Sequence, residues 1–239
     1  MAESDQVQAA RASKAIPEEE LRQALSNKED YDYVLQACAN NVKMGPWHAT
    51  SGLVLEYYLN AATNMLDKHV ATPIARMVLD VVCHKFKPEG DGKLLLVGME
   101  MAGGVMVGQA TAVAPITHPH MLEWCDFVYC RKDRKKTGTV QQLEGPQFIV
   151  DRKPDSPAQP AIFLDDALSS GGSMRDAVKL LKDDYNIDVV GAIYLVDRSK
   201  DRTSLAAEKM GMADDCLRDV QVTALYDLAQ VDAKVPRKS

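Results

Sequence analysis

Residues 161–173 read Ala-Ile-Phe-Leu-Asp-Asp-Ala-Leu-Ser-Ser-Gly-Gly-Ser, passing from four apolar residues to two adjacent carboxylates and then to a loop of serines and glycines. A buried core alone does not call for that order. Gly171 and Gly172 permit positive φ and let the backbone approach a ligand closely. Ser169, Ser170 and Ser173 add hydroxyl donors, and the free amides at the start of a following helix would complete a cradle for a phosphate. Asp165 and Asp166 would repel that phosphate, so their expected partners are sugar hydroxyls or a hydrated magnesium ion. Together these residues describe a phosphorylated sugar held at both ends.

Such a site needs a strand that brings the carboxylates to the rim of a sheet and a helix that starts just past the loop. The apolar run at 161–165 fits the strand, and Ser173–Asn186 fits an amphipathic helix with Met174, Val178, Leu180 and Leu181 on its inner face. The run Val189–Asp197 supplies the next strand. Further apolar runs at 93–98, 126–131 and 147–150 read as additional strands. Strand, helix and strand with buried strands imply a right-handed βαβ unit in a mainly parallel central sheet flanked by helices, an α/β fold. In such sheets ligands bind where strands end and helices begin. Upstream, helices are expected from Pro17, over 31–42, and over 64–86 with a bend at Pro73. Residues 1–16 are small and polar and read as a flexible arm, leaving 17–239 as a single domain.

With 239 residues, 46% of them hydrophobic, the chain can bury one full core. A net charge of −6 argues against a general nucleic-acid binder. No run of 18 apolar residues and no apolar signal core at the start lead to the expectation of a cytoplasmic protein. Five scattered cysteines without CxxC spacing read as reduced, mostly packed thiols. His118 and His120 flank a proline without a third ligand nearby and read as surface-loop residues. Gly92-Lys93 is followed by Leu94, which excludes a Walker A loop.

The segment 161–173 resembles, at every class of position, the phosphoribosyl pyrophosphate signature of type I phosphoribosyltransferases. Three other stretches resemble the orotate members of that family, and a fourth its pyrophosphate loop. Residues 130–145, with five cations in six positions followed by Gly138, are similar to their mobile catalytic loop. That match implies that Arg131, Lys132 and Lys135 neutralise the departing pyrophosphate. Residues 193–199 resemble the strand and loop whose arginine, here Arg198, meets the orotate carboxylate. Residues 51–62 resemble the segment that stacks aromatics on the base, which makes Tyr57 and Tyr58 candidates. Residues 97–112 resemble the pyrophosphate-binding loop and bring in Glu100, Gly103 and Gly104.

The resemblance spans roughly residues 45–230. It implies the type I fold with a small hood built largely from the N-terminal region, transfer of a nucleobase to phosphoribosyl pyrophosphate, and use of Mg2+ held mainly by substrate and water. It also implies a homodimer that shares the basic loop across its interface. The chain departs from the orotate pattern at Thr50 and Leu53, which stand where a lysine and an arginine are usual, and at Thr137, in place of a histidine. Glu100, in a loop that lacks the usual lysine, is closer to adenine-type members. Two alternatives therefore stand beside orotate: transfer to a purine or another pyrimidine, and a non-catalytic sensor of phosphoribosyl pyrophosphate.

Overall fold

The computed structural model describes residues 15–48, 54–133, 141–169, 171–198 and 220–236. The chain opens with α1 (Glu18–Ala24) and α2 (Glu29–Asn40), then a hairpin of β1 (Val42–His48) and β2 (Val54–Leu59). Two helices follow, α3 (Ala61–Leu66) and α4 (Ala71–Lys85). The central sheet begins with β3 (Leu94–Met99), which leads through α5 (Ala102–Thr117) and a 3₁₀ turn to β4 (Cys125–Cys130). Next come β5 (Leu143–Glu144), α6 (Gln147–Val150), β6 (Gln159–Leu168), α7 (Gly172–Tyr185), β7 (Ile187–Asp197), β8 (Gln221–Asp227) and α8 (Leu228–Ala233).

Six strands form one sheet in the order β5-β4-β3-β6-β7-β8, and all its pairings are parallel except β4 with β5. β3, Leu-Leu-Leu-Val-Gly-Met, is buried along its whole length, as a strand covered on both faces must be. Period-two alternation sorts its side chains into two apolar layers. Leu96, Ile162, Leu164 and Ile193 face α4 and α5, whereas Leu95, Val97, Phe163 and Tyr194 face α7 and α6. The β1–β2 hairpin forms a separate two-stranded sheet from the N-terminal part of the chain, in keeping with the expected hood. Among the described residues no helix is long and apolar enough to cross a membrane.

Several expectations need correction. Residues 147–150 form a short helix, not a strand. Pro146, extended at its start, opens it, and Ile149 and Val150 are buried while Phe148 stays exposed. The segment 64–86 breaks at 67–70, upstream of Pro73, which sits in the first turn of α4 where its missing amide costs no helical bond. The end of the expected arm is packed: Ala15 bridges to Ala224, and the Ile16 amide donates to the Ala224 carbonyl at 2.8 Å.

His118 is buried, not a surface-loop residue. Its Nε2 lies 2.9 Å from Asp80 Oδ1, and the Thr117 hydroxyl is 2.8 Å from Nδ1. Asp80 also accepts the Ser26 amide and hydroxyl, each at 3.0 Å, so one buried carboxylate staples the α1–α2 turn to α4 and to the end of α5. His120 is exposed and lies 3.5 Å from Cys83 Sγ. Cys38, Cys125 and Cys130 are buried free thiols, while Cys216 lies outside the described residues.

Candidate active site

β3 continues through α5 to β4 on one side, while β6 pairs with β3 on the other, so the strand order reverses between β3 and β6. The crevice past the carboxyl ends of two such strands is where open parallel sheets bind ligands. Glu100 and Met101 leave the end of β3 here, and the peptide between them is cis. Asp165 and Asp166 arrive from β6. The pairing of β6 with β7 runs on to Ala167–Val196 and Leu168–Asp197, so the carboxylates sit within the last turns of the ladder, not at its very end.

The two acids occupy a part-buried patch. Asp165 Oδ1 accepts the Asp166 amide at 3.0 Å, and the Gly103 amide, in the first turn of α5, also hydrogen-bonds to the Asp165 carboxylate. Burial, and after it the charge of Asp166, pushes the Asp165 carboxyl up to about 7. Burial also raises Asp166, opposed by a hydrogen bond from the Ala167 amide and by the charge of Arg198. The pair titrates as a unit, and its ionised form calls for hydroxyl donors or a cation.

Beyond β6, Ser169 leads to Gly171, whose φ of 67° is the left-handed conformation expected of a glycine at this turn. Gly171 is the N-cap of α7, Gly172 is its first residue, and among the described residues no side chain caps the helix. The first-turn amides of a 14-residue helix therefore face the loop with the positive end of its dipole, and exposed Ser173 stands beside them. Ser170 lies outside the described residues.

Arg198 follows β7 immediately. Its amide donates to the Leu168 carbonyl at 2.8 Å, and its Nη1 reaches the Leu59 carbonyl at the end of β2, at 3.5 Å. Its Nε is buried without a hydrogen-bond partner among the described residues. The guanidinium thus stands between the carboxylate pair and the hairpin. Next to Leu59, Tyr58 is half-exposed and tilts against Trp47 with ring centroids 5.7 Å apart. β2 alternates, so Tyr58 faces away from buried Leu59 and pairs with Trp47 on the exposed face of the hairpin. Tyr57 is in β2, opposite Met44.

Gly103 and Gly104 are there for close packing. A Cβ on Gly103 would lie 2.3 Å from the Leu164 carbonyl oxygen, and one on Gly104 2.1 Å from the Tyr129 ring. Gly103 still serves the site, through the amide that holds Asp165.

Of the basic residues, Arg131 and Lys132 leave the end of β4, while Lys135 lies outside the described residues. Arg131 Nε pairs with Glu144 Oε1 at 3.0 Å, and the Lys132 amide donates to Glu100 Oε2 at 3.2 Å. The sequence reading missed Glu144, Gln142 and Tyr129, which hold the root of this segment. The strand-like Cys125–Cys130 and the polar 141–145 stretch give no cue to their pairing. No group of three His, Cys, Asp or Glu side chains able to hold a metal ion occurs among the described residues.

No protein-family model matches the chain. An orotate phosphoribosyltransferase from Nocardioides sp. is 31% identical over 139 residues, covering 58% of this chain and 67% of that protein. One from Methanosarcina acetivorans is 29% identical over 189 residues, covering 79% and 86%. Among solved structures, the orotate phosphoribosyltransferase of Francisella tularensis superposes with a TM-score of 0.58 at 16% identity, covering 85% of this chain and 95% of that one.

Proposed function

Because the chain belongs to the type I phosphoribosyltransferase family and is most like its orotate members, we propose that it joins orotate to phosphoribosyl pyrophosphate, forming orotidine 5′-phosphate and pyrophosphate, a step of pyrimidine nucleotide biosynthesis. The observation that carries this reading is the convergence, at the strand-order reversal, of the Asp165–Asp166 pair, the uncapped start of α7 and the Arg198 guanidinium.

Each group has a task. Asp165 and Asp166 accept hydrogen bonds from the ribose hydroxyls and orient the anomeric carbon. Ser169, Gly171, Gly172, Ser173 and, from outside the described residues, Ser170 hold the 5′-phosphate on the α7 amides. Arg198 offers its planar fork to the orotate carboxylate, with Tyr57 and Tyr58 as candidate aromatics beside the base. The bond from the anomeric carbon to the pyrophosphate oxygen breaks as a ring nitrogen of orotate bonds to that carbon, through a cationic, oxocarbenium-like transition state. No covalent nucleophile on the protein is needed; the chain positions the reactants, neutralises the leaving charge and excludes water.

Arg131, Lys132 and Lys135 meet the pyrophosphate, and we assign them to a loop shared across a homodimer. Asp165 and Asp166 would stand nearest a Mg2+ ion carried mainly by substrate oxygens and water, which would supply charge neutralisation at the leaving group. Glu100 speaks for a purine only if it faces the base, and its carboxylate is engaged by the Lys132 amide instead.

The test is formation of orotidine 5′-phosphate from orotate and phosphoribosyl pyrophosphate, with Mg2+ present, by the wild-type chain and by an Asp165→Asn, Asp166→Asn chain. Wild-type turnover that falls by orders of magnitude in the double variant supports the reading. A double variant with near-normal turnover removes the two acids from the site, and wild-type protein that binds phosphoribosyl pyrophosphate without turning over any base supports the sensor instead.

A further inference from the structure

Where β3 turns into α5, the chain places a glutamate beside the crevice assigned to pyrophosphate, where an unpaired negative charge would repel the substrate. The structure gives that side chain another task. Glu100 Oε2 accepts the backbone amide of Lys132 at 3.2 Å. The Tyr129 phenol faces the same carboxylate, and burial, followed by the charge of Glu100, raises its pKa and keeps it a donor. Below them the Glu100 amide donates to the Cys130 carbonyl at 2.8 Å, so the turn is tied to the end of β4 by backbone as well as side chain.

The other side of the same peptide is held too. The Arg131 amide donates to the Gln142 carbonyl at 2.7 Å, and Gln142 Nε2 lies 3.5 Å from the Arg131 carbonyl and 3.3 Å from that of Lys132. The Lys132 residue is thus gripped at its amide by Glu100 and at its carbonyl by Gln142, while the Arg131 guanidinium rests on Glu144. Three side chains from two segments fix the residues from which the basic stretch begins.

We propose that Glu100 is a positioning residue: its carboxylate clamps the Lys132 peptide onto the pyrophosphate-side turn and so sets the placement of Arg131 and Lys132 for the leaving group. The proposal rests on the reading of those cations as partners of pyrophosphate. A clamp of this kind needs an acceptor oxygen, not a charge. A group that contacted the metal or the pyrophosphate would depend on the charge.

That difference sets the test, with Glu100→Ala, Glu100→Gln and wild-type protein compared in steady-state kinetics and in hydrogen exchange of the Lys132 amide. The alanine protein should lose about tenfold in kcat with KM for orotate unchanged, and its Lys132 amide should exchange faster. The glutamine protein, which keeps an acceptor oxygen, should recover most of the rate and the protection. Glutamine as damaging as alanine, with a raised Mg2+ requirement, would overturn the clamp in favour of a role for charge. An alanine protein with wild-type kcat and wild-type exchange would overturn it as well. If the wild-type chain turned over no base at all, the functional reading would fall, and the exchange comparison would still decide whether Glu100 clamps the peptide.

Discussion

The Asp165 carboxylate accepts the backbone amide of Asp166 at 3.0 Å, while the Gly103 amide approaches it from the first turn of α5. Two like charges therefore share a part-buried patch, and the positive charge of Arg198 bears on Asp166. On the proposed function the patch receives the ribose, at some cost to the unliganded fold.

That cost has a sign. Asp165 titrates at about 7 in the folded chain, against about 4 for an ordinary aspartate. The folded state binds the extra proton between those values, so this group's contribution to stability falls as pH rises through that window and is worst above 7. Asp165→Asn should therefore raise Tm relative to wild type at pH 8, with little difference at pH 4; each kcal/mol recovered is about 2–4 °C for a chain of this size. The wild-type kcat/KM for phosphoribosyl pyrophosphate should fall as pH drops through 7, because the protonated acid no longer accepts from ribose. Equal Tm for the two proteins at pH 8 would remove the strain from the account.

Arg198 joins the carboxylate patch to the hairpin through the Leu59 carbonyl. Arg198→Lys keeps the charge beside Asp166 and loses the planar fork. KM for orotate should rise about tenfold or more, and KM for phosphoribosyl pyrophosphate should change much less. A rise confined to phosphoribosyl pyrophosphate would place this arginine on the sugar side.

Gly103 has no room for a side chain, since a Cβ would meet the backbone oxygen of Leu164 at 2.3 Å. Gly103→Ala should destabilise the fold by roughly 1–3 kcal/mol through overpacking. It should also lower kcat in the fraction that stays folded, because the amide bound to Asp165 must move. Thermal denaturation alongside kinetics checks both, and an alanine protein of unchanged Tm would show that the contact relaxes freely.

Sharing of the basic loop between subunits is tested by mixing chains. A Lys135→Ala chain and an Asp165→Asn, Asp166→Asn chain should each be nearly inactive. Mixed dimers would contain one site with both defects and one with neither, so activity should partly return. If labelled subunits demonstrably exchange and no activity returns, the loop acts within its own subunit.

Much of this site was legible from residue order. Four apolar residues, two acids and a serine–glycine loop can be satisfied together by a buried strand, a sheet rim and a helix start, and those are the elements observed at 159–185. What stayed hidden depends on partners distant in sequence. His118 is buried because Asp80 of α4 meets it, and Asp80 is held in turn by Ser26 of the α1–α2 turn. Glu100 finds the Lys132 amide only once β3 and β4 lie side by side. Residues 147–150 carry a strand-like apolar run, and a helix start at Pro146 overrides it. The direction in which Tyr58 points follows from hairpin register with β1, which the run of aromatics did not reveal.

The central claim is the choice of acceptor, and it is tested most directly by incubating the wild-type chain with phosphoribosyl pyrophosphate, Mg2+ and each of a panel of free bases, orotate, uracil, adenine, guanine and hypoxanthine, while measuring pyrophosphate release. The account predicts release with orotate, at a kcat/KM well above that for any other base, because Arg198 offers its fork to a carboxylate that the other bases lack. Release with a purine and none with orotate would contradict it.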